Sequence, residues 1–181
     1  QELHAIEQQF HAQKASIVVL SPTSGAVLGI GSRGGGTRLL AVDDVYEPAS
    51  TVKVFTVALA LEEGTIKADQ SFATDSDASG VRDVTPAGRL TVADILALSS
   101  NIGTLKIYRT LGKERLLRGF ARFHFGVAPP VQLAAAAGSP VRTDVSDADA
   151  EAASFGHHMT ASPLQIAAAF AAVANHGAYQ A

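Results

Sequence analysis

The chain has 181 residues, 47% of them hydrophobic and 17% charged, a balance that lets a chain of this length bury a core and excludes a disordered segment. Its formal net charge is -3 with Lys and Arg scattered along it, so nothing supplies the basic stripe a phosphate backbone needs, and no nucleic acid partner is expected. It has no cysteine, which excludes disulfide frameworks, thiolate metal sites and cysteine nucleophiles. At this length one compact domain is the first expectation.

Residues 1–14 have neither a basic n-region nor an apolar h-region and read as a linker or helical lead-in. Two apolar runs, Ile17-Val18-Val19-Leu20 and Ala26-Val27-Leu28-Gly29-Ile30, flank Ser21-Pro22-Thr23-Ser24-Gly25, which predicts a β-hairpin. The runs are continuous rather than alternating, so the strands are expected to be covered on both faces. The loop Ser32 to Thr37 is glycine-rich but has no Lys-Ser or Lys-Thr after it, and it is not read as a nucleotide cradle. From Glu47 to Gly64 the chain has Pro at the entry and Gly at the exit, and beyond Lys53 its apolar residues fall on nearly every face, as in a buried helix. Residues 73–88 read as a loop. Thr91, with Asp94 three positions on, opens a helix that gives out at Ser99-Ser100-Asn101.

Further helices are predicted from about Ile102 to Leu111, stopped by Gly112, and from Lys113 to about Phe123. Val127 to Asp149, with Pro129, Pro130, Pro140 and the alanine run Ala134 to Ala137, reads as irregular connection. Ser162-Pro163-Leu164-Gln165 combines an N-cap serine, proline at the first helical position and glutamine at the third. The helix it opens is apolar through Ala174 and ends at Gly177, so a second buried helix is expected. Its apolar block runs for roughly 11 residues where a membrane span needs about 20.

Ser50 in the first turn of a buried helix, with Lys53 three residues on, places a hydroxyl and an amine on one face. A lysine in apolar surroundings loses solvation of its charged form, so its pKa falls and a neutral amine becomes available as a base. That base can take the serine proton as the hydroxyl attacks a carbonyl, and backbone N–H groups at the helix start can stabilise the oxyanion. Taken alone, the pair could equally be a lysine snorkelling to water from a helix rim. Ser99 and Asn101, where one helix yields to another, add polar side chains that can stand over a cleft or simply cap helices. Ser-x-x-Lys and Ser-x-Asn together belong to a known signature set of acyl-serine enzymes.

Glu47-Pro48-Ala49-Ser50-Thr51-Val52-Lys53 resembles the Glu-Pro-Gly-Ser-Thr-x-Lys segment of penicillin-binding protein transpeptidase domains, particularly of class B. The hairpin, Ser99-Ser100-Asn101-Ile102-Gly103, and the stretch from Ala161-Ser162-Pro163-Leu164-Gln165 to Ala174-Asn175-His176-Gly177 resemble the family's opening strands, its Ser-Ser-Asn-Ile/Val-Gly motif and its Thr-Pro-Leu-Gln helix ending in Ala-Asn-Gly-Gly. The resemblance implies an α+β, β-lactamase/transpeptidase-like fold, an antiparallel sheet flanked by helices plus a helical subdomain. Residues 1–181 would form part of that domain, holding the first hairpin of the sheet and most of the helices. It implies a D,D-transpeptidase acting on the D-Ala-D-Ala end of peptidoglycan stem peptides and covalently inhibited by β-lactams. Ser50 would be the acylated nucleophile, Lys53 its base, Ser99 a proton relay to the leaving amine and Asn101 a holder of the substrate amide. No metal or organic cofactor is implied. Cell-division or elongation proteins would be partners, at the extracytoplasmic face of a bacterial inner membrane, with any anchor outside these residues.

The chain departs from the family in three respects. It contains no Lys-Thr-Gly or Lys-Ser-Gly, the motif that in the family follows the Ala-Asn-Gly-Gly helix; truncation is the expectation, and these residues alone are expected to be inactive or nearly so. Ala49 replaces the family's glycine, a change expected to be tolerated. His158 stands where a second glycine after Gly156 is usual. His157 and His158 lack a third ligand at useful spacing and read as surface or cleft-edge residues rather than a metal site. Glu151 lacks the neighbours of a β-lactamase deacylation glutamate, and Asn101 argues against sensor domains and class D β-lactamases. A non-catalytic binding module and a D,D-carboxypeptidase remain alternatives.

Overall fold

The computed structural model describes residues 2–128 and 144–180. Pro129, Pro130, Pro140 and the alanine run lie outside the described residues. In chain order the elements are helix α1 (Glu2–Phe10), strands β1 (Ala15–Leu20) and β2 (Val27–Arg33), a short α2 (Leu40–Asp43), and a tight 3₁₀ turn (Ala49–Val52) that runs into α3 (Lys53–Glu62). Then come β3 (Ser71–Ala73), β4 (Arg89–Thr91), α4 (Val92–Ala97), α5 (Asn101–Leu111), α6 (Lys113–Arg122), α7 (Asp147–Ala153) and α8 (Pro163–Ala174). The chain divides into two compact units.

The first unit takes in, among the described residues, those up to Tyr46, residues 121–128, and those from Thr160 on. Its centre is the antiparallel β1–β2 hairpin, with Val18 opposite Ile30 and a register shift at Val19/Leu20. α1, α2 and α8 pack against it. The predicted hairpin is present, but its strands are half-buried rather than covered on both faces. Ile17, Val19, Val27 and Leu28 remain exposed, because the helices packed here meet only part of the hairpin's surface.

Helix α8 begins as expected. Ser162 Oγ accepts from Gln165 N–H and Gln165 reaches back to Ser162 N–H, completing a capping box with Pro163 behind it. The burial of α8 corrects the expectation from its composition. Leu164, Ile166, Ala169 and Ala172 are buried, whereas Phe170 and Val173 on the other side are exposed, so an all-apolar sequence here makes a half-buried helix.

The second unit takes in Glu47 to Phe120 and the described residues 144–159. Here α3 is packed as its composition predicts, with Val52, Phe55, Val57, Leu59 and Ala60 buried. Helix α5 lies against it. Two glycines allow close packing: a Cβ at Gly119 would overlap the Leu59 side chain, and one at Gly103 would overlap Ile95.

Two stretches read as irregular turn out ordered at their ends. The 73–88 loop is closed by the ribbon β3–β4, which pairs Phe72 with Leu90. Residues 147–149, placed in the connection that ends at Asp149, instead start α7, because Ser146 Oγ accepts from Asp149 N–H and caps it. No helix among the described residues is long and apolar enough to cross a membrane.

Candidate active site

All four candidate site residues lie in the second unit. Ser50 sits in the tight turn that precedes α3 and is exposed. That turn has no side-chain cap. Ala49 N–H donates to Gly156 O and Thr51 N–H to Pro48 O, while among the described residues Ser50 N–H has no backbone acceptor. The helix start therefore offers an unspent donor beside the hydroxyl, the arrangement an oxyanion requires.

Lys53 begins α3 and is only 2% exposed. Its ammonium has three N–H donors, and they meet three oxygens: Ser99 O at 2.6 Å, Ser99 Oγ at 3.1 Å and Asn101 Oδ1 at 2.6 Å. Burial pushes the amine down to about 8, partly opposed by the Asp83 carboxylate, which favours the charged form. Desolvation thus lowers the basicity of the lysine that the sequence spacing singles out. The contact differs from the expected one, since among the described residues the amine bonds to Ser99 and Asn101 and has no hydrogen bond to Ser50.

Ser99 is presented by the end of α4. Ser100 N–H donates to Ile95 O at 2.9 Å and Ser99 N–H to Leu96 O at 3.2 Å, the paired bonds of a Schellman cap. The residue at the left-handed position of that cap is usually glycine, yet here it is Ser99, with φ 54°. This conformation turns both the carbonyl and the hydroxyl of Ser99 toward Lys53. The adjoining Ser100 then caps α5, accepting from Gly103 N–H at 2.8 Å.

Asn101 is fixed from the other side, its Nδ2 donating to Arg82 O at 2.9 Å. Asp83 accepts from Ser100 Oγ at 2.6 Å and from Ile102 N–H at 2.9 Å. The 73–88 loop is therefore an anchor for the Ser99–Asn101 corner. Arg82 and Asp83 were missed in the sequence, where no local signal marks them, because their partners lie 17 to 19 positions further on. A cavity of about 340 Å³ lies along this loop, lined by Thr74, Asp77, Arg82, Asp83 and Ile102 among others. None of Ser50, Lys53, Ser99 and Asn101 lines it.

His157 and His158 are exposed. His157 Nδ1 lies 3.1 Å from Glu47 Oε2, and His158 Nδ1 lies 2.8 Å from Asp149 Oδ1. Glu151 faces Arg109 at 3.5 Å. At three positions where the family resemblance has glycine, Ala49, His158 and His176, φ is 48°, 56° and 55°. The glycine is thus explained by backbone geometry, and Ala49 is accommodated with its backbone in a region that disfavours a side chain.

A buried lysine clasped by a serine and an asparagine thus stands three residues after an exposed serine at an uncapped helix start, on an α+β scaffold. The family model for the penicillin binding protein transpeptidase domain matches residues 15–181, and the chain belongs to that family.

Among curated relatives, the chain is 32% identical to a probable peptidoglycan D,D-transpeptidase FtsI from Caulobacter vibrioides, covering 97% of this chain and 33% of that protein. It is 29% identical to peptidoglycan D,D-transpeptidase FtsI from Escherichia coli strain K12 over 77% of this chain and 24% of the relative. Among solved structures, it resembles the transpeptidase domain of penicillin-binding protein 3 from Burkholderia pseudomallei, with a TM-score of 0.89 and 30% identity over 98% of this chain and 55% of that one. A peptidoglycan glycosyltransferase from Burkholderia ambifaria matches with a TM-score of 0.91 and 29% identity, over 98% of this chain and 58% of that one. The chain thus spans about a quarter to a third of these curated relatives and carries the transpeptidase fold.

Proposed function

We propose that the chain carries the acyl-transfer site of a peptidoglycan D,D-transpeptidase. Ser50 Oγ attacks the carbonyl of the penultimate D-Ala of a stem peptide, and Lys53, as the neutral amine, takes the hydroxyl proton. The bond to the terminal D-Ala breaks, Ser99 passes a proton to the departing amine, and the acyl group stays on Ser50 as an ester. An amine of a neighbouring stem then attacks the ester, forms the cross-link and returns the proton to the site. Asn101 holds the substrate amide, and Ser50 N–H contributes to the oxyanion site. A β-lactam amide follows the same first step, and its acyl group remains on Ser50.

The observation that carries this reading is the buried Lys53 amine held 3.1 Å from Ser99 Oγ and 2.6 Å from Asn101 Oδ1. With its pKa lowered to about 8, roughly a tenth of the amine is neutral at pH 7, against well under a thousandth for an ordinary lysine. The names of the relatives, two FtsI transpeptidases and Stage V sporulation protein D of Bacillus subtilis, support a place in cell-wall synthesis during division. The proposal extends to the outer face of a bacterial inner membrane as the location and to division or elongation proteins as partners. Residues 1–181 by themselves, lacking Lys-Thr-Gly, are proposed to acylate slowly or not at all.

The test is intact-mass spectrometry of the full-length protein after incubation with a penicillin, with peptide mapping and Ser50→Ala as control. One added penicillin mass on the Ser50 peptide, absent in Ser50→Ala, is expected. A folded protein without an adduct would overturn the reading and favour a binding module that keeps the fold.

A further inference from the structure

Of the six non-glycine residues with positive φ among the described residues, His11, Ser99, His124 and His176 follow helix ends, where left-handed backbone is common. Ala49 and His158 do not, and both belong to two backbone segments tied together beside Ser50. Ala49 N–H donates to Gly156 O at 3.0 Å. A Cβ at Gly156 would overlap the Ala49 carbonyl oxygen, so the two backbones run in direct contact. Thr56 Oγ1, on the buried side of α3, donates to Ser154 O at 2.6 Å. At the other end of the same segment His158 N–H donates to Glu47 Oε1 at 2.9 Å and His157 Nδ1–H to Glu47 Oε2 at 3.1 Å.

We propose that Glu47 is a positioning residue for Ser50, acting through the 154–158 segment to hold the turn at Ala49 in its left-handed conformation. This rests on the reading of Ser50 as the acylated nucleophile. The turn carries a side chain where backbone sterics favour glycine, and it has no side-chain cap of its own, so its conformation must be imposed from outside. The 154–158 segment supplies that restraint at three points, and Glu47 is the one made by a side chain next to the turn. Asp149, 2.8 Å from His158 Nδ1, and Phe155, edge-on to the His157 ring, fix the two histidines that face Glu47. The Glu47 carboxyl is held below the usual range by the His157 hydrogen bond and then the His158 N–H, as a carboxylate gripped by donors should be. Nearly half of the Glu47 side chain surface is exposed, so its replacement removes the grip without opening the core.

The experiment measures penicillin acylation of the full-length protein, separating the acylation rate constant from the dissociation constant of the initial complex and from the fraction of protein that reacts. Glu47→Ala is expected to lower the rate constant roughly tenfold through a misplaced nucleophile, with the dissociation constant and the reacting fraction unchanged. Glu47→Gln keeps an acceptor for His158 N–H and falls less. Adding Ala49→Gly to Glu47→Ala restores the rate constant to within about threefold, because glycine holds that conformation without help. Equal rate constants in Glu47→Ala, Glu47→Gln and the unsubstituted protein would overturn the positioning role while leaving the Ser50 adduct in place. A smaller reacting fraction at an unchanged rate constant, or no restoration by Ala49→Gly, would overturn it as well. Absence of any Ser50 adduct in the unsubstituted protein would instead overturn the acyl-serine reading, and the positioning role with it.

Discussion

Helices α3 and α8 are both written in apolar residues, yet they begin in opposite ways. α8 starts with proline at its first position and a complete capping box between Ser162 and Gln165. α3 starts from a tight turn with no side-chain cap, a left-handed alanine at Ala49 and a charged lysine almost fully buried. The first start satisfies Ser162 N–H and Gln165 N–H with its own side chains and contributes to stability. The second leaves a donor unspent, holds an amine in a place that disfavours its charge, and relies on a neighbouring segment for its shape. Such departures are the expected mark of a site, where local preference gives way to chemistry.

The contrast predicts that substitutions at the α3 start and the corner facing it change acylation, and that those at the α8 start change stability alone. The largest effect is expected for Lys53→Met, which removes the base and should slow penicillin acylation by ~10³-fold or more, read as the rate of adduct formation. Ser99→Gly comes next. It removes the relay hydroxyl, with a loss of about 10²-fold in rate, while glycine relieves the left-handed cap. The thermal midpoint should therefore stay level or rise, an opposition between rate and stability that calorimetry beside kinetics would expose.

Gly156→Ala puts a methyl group against the Ala49 carbonyl and should cost roughly 1–3 kcal/mol in a denaturant melt, with slower acylation. Smallest is Ser162→Ala, expected to cost ~1 kcal/mol of stability and leave the acylation rate constant unchanged. A rate change in that variant would erase the distinction between the two helix starts.

Much of this was legible in the sequence, for identifiable reasons. Capping boxes at Thr91 and Ser162, the Pro22–Gly25 turn and the glycine stops are local signals, and the hairpin and helices they announce are present. The Ser50–Lys53 spacing and the Ser99–Asn101 corner were visible because helical periodicity and side-chain chemistry operate within a few residues. Other features depend on residues distant in sequence. Lys53 meets Ser99 and Asn101 across a gap of more than forty positions, so spacing alone paired it with Ser50. The anchoring of Asn101 by Arg82 and Asp83 came from a stretch that reads as featureless loop. The half-burial of the hairpin and of α8 was misread because continuous apolar runs report how much surface could be covered, not how much the helices packed here cover.

The account turns on Lys53 acting as a base that burial has made available, and the pH dependence of acylation tests this most directly. Rates of penicillin adduct formation on Ser50 in the full-length protein, taken from pH 6 to 10, should rise with the neutral amine fraction, roughly tenfold per pH unit at first, and level off above about 8. A profile that is flat across this range, or one that keeps climbing toward the usual 10.5 of a solvated lysine, would contradict it.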